Sequence, residues 1–119
     1  MKINSFKNIW KPPFKNDHYG YVWSKDNVMT FTIDDLTEDN KDFVNEFADN
    51  IVNVLNGKEV TRKYEDIEAK DGCDIYINNE LVGYFRGWGH MIGGLKLSPE
   101  EASKYQDELI QFVLSKLKN

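Results

Sequence analysis

Apolar and polar residues change period several times along the chain, and each change marks an element. From residue 19 the run Tyr-Gly-Tyr-Val-Trp-Ser leads to the polar turn Lys25-Asp26-Asn27, then to Val-Met-Thr-Phe-Thr-Ile ending at Ile33. β-Branched and aromatic residues dominate both arms, which predicts a β-hairpin. Upstream, Pro12 and Pro13 remove two ladder donors, so any strand near residues 6–10 must end there or lie on an edge. After the hairpin, Thr37 followed by Glu38, Asp39 and Asn40 has the composition of a helix start, where negative charge is favoured. Phe43, Phe47, Ile51, Val54 and Leu55 then recur at three- and four-residue spacing, and Asn56-Gly57 supplies a stop.

A second series repeats this order. Residues 60–69 read as a strand, Asp71-Gly72 as a turn, residues 73–77 as a strand, Asn78-Asn79 as a tight turn that tolerates positive φ, and residues 81–86 as another strand. A glycine-bearing loop runs over residues 87–96. Ser98-Pro99-Glu100-Glu101 then places Ser at the N-cap, Pro at the first helical position and Glu at the third, the pattern of a capping box. Ala102, Tyr105, Leu109, Phe112, Val113 and Leu117 form one apolar face of the helix this opens.

Two amphipathic helices, each following a β-meander, are best satisfied by an α+β structure: an antiparallel sheet with both helices packed on one face. The apolar positions of the helices also match at an offset of 62 residues, Phe43 with Tyr105, Phe47 with Leu109, Ile51 with Val113 and Leu55 with Leu117. A (βββα)2 pseudo-repeat accounts for this, as does the chance alignment of any two amphipathic helices.

With 119 residues, 40% of them hydrophobic, the chain has length for a single α+β domain, residues 1–119, and one core. The first residues, Met1-Lys2-Ile3-Asn4-Ser5-Phe6-Lys7, contain no apolar stretch of signal-peptide length, so the expectation is a cytoplasmic protein that does not engage a membrane. Net charge is -5 but unevenly spread. Residues 1–16 carry Lys2, Lys7, Lys11 and Lys15 with no acid, whereas residues 34–50 carry seven acids against Lys41 alone and would repel a phosphate backbone.

Candidate chemistry is sparse. His18 and His90 lack local metal-ligand spacing, a site joining them to Asp34 or Asp35 would have to be assembled by the fold, and no cofactor motif is present. Cys73 is the single cysteine and sits beside Asp74, which disfavours its thiolate. Asp34 and Asp35, between a strand and a helix, read as turn or capping carboxylates. No catalytic residue is assigned. The extra length between the last strand and the second helix points to Arg86, Trp88 and His90 as binding residues, in a loop whose glycines allow close backbone approach. Trp10 and Phe14 are added on the condition that they are exposed with Trp88, as aromatic anchors flanked by lysines. Tyr19, Tyr21 and Trp23 alternate onto one sheet face, which predicts either burial under a helix or a base-stacking surface.

The stretch Arg86-Gly-Trp-Gly-His-Met-Ile-Gly-Gly-Leu-Lys-Leu-Ser-Pro-Glu-Glu-Ala, continuing through Gln106-Asp107 to Leu117, resembles small uncharacterised proteins of bacterial and phage genomes. That resemblance covers the last third of the chain and implies no activity. The sequence reading is therefore a non-catalytic protein that binds another protein, as an accessory or mobile-element product. Two alternatives stand beside it: a small ligand-binding protein or enzyme using Arg86 and His90, and a single-stranded nucleic-acid binder using the lysine and aromatic arm.

Overall fold

The computed structural model describes residues 6–85, 91–92, 95–96 and 98–119. A 3-10 turn at Phe6–Asn8 is followed by β1 (Lys15–Asn16), β2 (Tyr21–Trp23), a second 3-10 turn at Lys25–Asn27 and β3 (Met29–Ile33). Then come α1 (Lys41–Leu55), β4 (Ile67–Lys70), β5 (Asp74–Ile77), β6 (Glu80–Phe85), β7 (Met91–Ile92), β8 (Leu95–Lys96) and α2 (Pro99–Leu117). The first six strands form one antiparallel sheet in the order β1-β2-β3-β6-β5-β4, and the helices pack side by side against it. The fold is α+β. Two three-stranded meanders meet through their last strands, β3 and β6, an order that a duplicated unit and two separate meanders would both give.

Strand alternation decides which side is core. Val22, Phe31, Ile33, Ile75, Ile77 and Phe85 point inward and are buried against Phe47, Ile51, Leu109, Val113 and Leu117 of the helices. Phe31 is the hub, edge-on to Phe47 at 5.7 Å and to Phe85 at 5.1 Å. Its ring lies where a side chain at position 83 would stand, so Gly83 is demanded by packing. Full burial of each such apolar side chain contributes roughly 1.5–3 kcal/mol. No described helix is long and apolar enough to cross a membrane.

Local chemistry explains the boundaries. Ser98 Oγ accepts from Glu101 N at 3.2 Å while Ser98 N donates to Glu101 Oε1 at 3.3 Å, completing the capping box of α2. Asn78 and Asn79 both adopt positive φ, 53° and 65°, in the β5-β6 turn. α1 begins later than Thr37 suggests, because Thr37 and Asn40 bond each other reciprocally and hold residues 38–40 in a turn. Residues 6–8 are a 3-10 turn and no strand, since amides of Ile9 and Trp10 both donate to Phe6 O. Of the stretch 60–69 only residues 67–69 lie in a strand, Ile67–Lys70. The long connection before α2 contains the β7-β8 ribbon. Phe112, assigned above to the core face, is only partly buried, while Ile110 and Gln106 beside that face are buried.

Candidate functional site

Of the sequence-derived binding residues, Trp10 and Phe14 fall among the described residues. Trp10 is 1% exposed and Phe14 5%, so both serve the core, and the joint exposure that would make them partner anchors is not met. Phe14 is further clamped by Asn56, whose amide side chain accepts from Phe14 N at 2.8 Å and donates to Phe14 O at 3.0 Å. Arg86, Trp88 and His90 lie outside the described residues.

The outward sheet face decides between burial under a helix and an open face for Tyr21 and Trp23, in favour of the open face. Tyr21 and Trp23 share a face, but it is the one opposite Val22, away from the helices. Register aligns Tyr21, Thr32, Tyr84, Asp74 and Lys70 in one row across five strands. Carboxylates punctuate this surface. Tyr84 donates its hydroxyl to Asp34, and Asp17 accepts from the Trp23 indole at 3.0 Å and from the amides of Tyr19 and Tyr21. Partial burial pushes the Asp17 carboxyl up, but those hydrogen bonds together with nearby His18 outweigh it and hold its pKa below the ordinary value. Acidic groups among the aromatics oppose a phosphate backbone.

His18 faces the first helix, where its Nε2 lies 3.3 Å from Asp49 Oδ1. Asn16 Nδ2 reaches the same carboxylate at 3.0 Å, so these residues tie β1 to α1. Among the described residues no cluster of His, Cys, Asp and Glu has metal-binding geometry. Cys73 is partly buried with its Sγ 3.6 Å from Asp74 Oδ1. Asp34 accepts from the Tyr84 hydroxyl across the sheet, and Asp35 acts locally through its carbonyl, which accepts from Asn40 Nδ2.

A concave site does exist elsewhere. Between the C-terminal end of α1, residues 57–63 and the C-terminal half of α2 lies a groove of about 580 Å³. Its size falls within the roughly 300–1,000 Å³ of ligand pockets. Val54, Val60 and Phe112 form an apolar floor; Lys58, Lys63 and Lys116 rim it, with Glu59 the one acid among the lining residues. Lys116 and Lys7 place their ammoniums 6.0 and 5.3 Å from the centre of the Phe112 ring. Among the described residues no carboxylate pairs with Lys58, Lys63 or Lys116 within 4.0 Å.

The sequence builds this groove from two anchors. At one end Gly57, with φ +72°, closes α1 by donating to Val54 O while Lys58 N donates to Asn53 O. At the other end the fully buried Asn50 accepts through Oδ1 from Thr61 N at 2.8 Å and Thr61 Oγ1 at 3.2 Å. Tyr64, buried next to Asn50, donates its amide to Leu117 O and accepts at its carbonyl from Asn119 N. Burial raises the Tyr64 phenol pKa, aided by Glu46 and opposed by the Asn50 bond and Arg62. The wall carrying Lys58, Val60 and Lys63 is therefore held by the fold at both ends.

No family model, curated protein or solved structure matches the chain. Lysines at helix C-termini complement the helix dipoles, which accounts for positive charge at Lys58 and Lys116. That does not account for the apolar surface left open between them. Sequence reading passed over these residues because Lys58 and Lys63 flank Val60 in a segment with a mixed charge pattern, and Lys116 meets them only in the fold. The one available signal was Phe112 and Lys116 four apart on α2, one helical turn.

Proposed function

We propose that this is a non-catalytic protein that acts by binding another protein, and that the lysine-rimmed groove takes an acidic segment presenting one apolar side chain. One observation carries this: an open apolar floor bounded by three lysines on a chain of net charge -5. Positive charge at that place steers and orients an acidic partner, while burial of an apolar anchor on Val60 and Phe112 supplies affinity. A bacterial cytoplasmic or mobile-element accessory role fits this reading.

Fluorescence anisotropy with a labelled acidic peptide carrying a central leucine tests the reading. Binding should be saturable, weaken with salt, and fall severalfold in Lys63→Glu and in Phe112→Ser. Equal binding by the parent and by Lys63→Glu would remove the groove from the account. A nucleic-acid role through the outward aromatics is the competing outcome, shown by retention of single-stranded DNA at low salt with loss in Trp23→Ala.

A further inference from the structure

The groove has a complement on the same chain. Residues 34–39, between β3 and α1, are all exposed, and they read Asp-Asp-Leu-Thr-Glu-Asp. Leu36 is 39% exposed, one of three large apolar side chains so open among the described residues. It stands between carboxylates: Glu38 is paired with Lys41 at 2.9 Å and Asp34 accepts from Tyr84, while Asp35 and Asp39 enter no ion pair among the described residues. The loop is held in shape by the reciprocal Thr37 and Asn40 bonds and by Asn40 Nδ2 on Asp35 O at 2.6 Å. Docking it would sacrifice little conformational freedom.

The loop cannot reach the groove of its own molecule. It leads into the N-terminus of α1, whereas the groove opens at the C-terminal end, and the 15 residues of that helix span about 22 Å. We infer that the groove receives Leu36 and its flanking carboxylates from a second copy of this chain. Lys58, Lys63 and Lys116 would face Asp35 and Asp39, and Val60 and Phe112 would cover the leucine. Groove and loop are different surfaces, so the contact is head-to-tail, and a pair of copies keeps one free groove on one copy and one free loop on the other. This inference rests on the groove taking an acidic segment with an apolar anchor, and it adds what that segment is.

Because the contact is heterologous, its two halves can be disabled separately. Sedimentation velocity of the full chain over a range of concentrations should show reversible association at low salt that weakens as salt rises. A Lys63→Glu, Lys116→Glu variant with a damaged groove and a Leu36→Ser variant with a damaged loop should each stay monomeric. Each lysine reversal should weaken association at least the roughly two- to five-fold expected of an exposed ion pair. Mixing the two variants should restore one intact interface and give dimers that grow no further. Growth beyond dimers in the mixture, or association unchanged in either variant, would overturn the inference. If the parent stays monomeric while a labelled peptide of residues 33–40 binds the groove, the self-association falls and the acidic-segment reading stands. If neither association nor peptide binding is seen, both fall.

Discussion

Asn50→Ala is the most informative perturbation of the site's scaffold. The Asn50 side chain is fully buried in α1 and accepts two hydrogen bonds from Thr61, so it fastens the groove wall to the helix. Each bond is worth a net of about 0.5–1.5 kcal/mol. Thr61 is exposed, so water can reach its amide once Asn50 is gone, and the penalty for an unsatisfied donor stays small. The contact from Asn50 Nδ2 to the Tyr64 hydroxyl, at 3.5 Å, is too long to add much. Summing these terms, Asn50→Ala should cost about 2 kcal/mol, a drop in Tm of roughly 8 °C for a domain of this size. Urea unfolding measures the cost. Amide hydrogen exchange at Thr61 reports the mechanism, since that proton should lose protection before the sheet does. A loss below about 0.5 kcal/mol, the range of indifferent surface substitutions, or unchanged Thr61 protection, would refute the account of the wall.

Gly83→Ala should cost about 3 kcal/mol or more, because the new methyl would overlap the Phe31 ring and the Thr32 carbonyl oxygen; a urea midpoint equal to the parent's would show that β3 and β6 can part freely. Ser98→Ala should cost about 1 kcal/mol in thermal unfolding and Glu101→Ala less, since the Glu101 half of the box is exposed and longer; equal costs would reverse that ranking. Asp17 is bonded in its ionised form, so its contribution is present above the ordinary aspartate value of about 4 and is lost as pH falls through the lower folded value. The stability difference between parent and Asp17→Asn, followed by urea unfolding, should accordingly be constant above about pH 5 and shrink in acid; a difference that grows as pH falls would contradict the sign.

Local chemistry and the α+β arrangement of two helices on an antiparallel sheet were legible in the sequence, and the placement of individual side chains was not. The α2 capping box needs only Ser98, Pro99 and Glu101, and the Asn78-Asn79 turn needs two residues that accept positive φ, so both could be read directly. The start of α1 was displaced because Thr37 and Asn40 satisfy each other, which residue types alone do not reveal. Alternation placed Tyr21 and Trp23 on one face but could not say which; Val22 between them, wholly buried, made that choice. Trp10 and Phe14 looked like anchors because lysines surround them in sequence, yet the chain buries both in the core and leaves Lys7, Lys11 and Lys15 exposed. The groove joins residues 54–63 to Phe112 and Lys116, 49 or more positions away, so beyond the Phe112 and Lys116 pair on α2 no local pattern could have announced it.

Amide chemical-shift mapping with an acidic, leucine-bearing peptide tests the central claim most directly. The account predicts that the shifts concentrate on Gly57, Lys58, Val60, Lys63, Phe112 and Lys116 and vanish in Lys63→Glu. Shifts concentrated instead on Tyr21, Trp23, Thr32 and Tyr84, on the open face of the sheet, would contradict it.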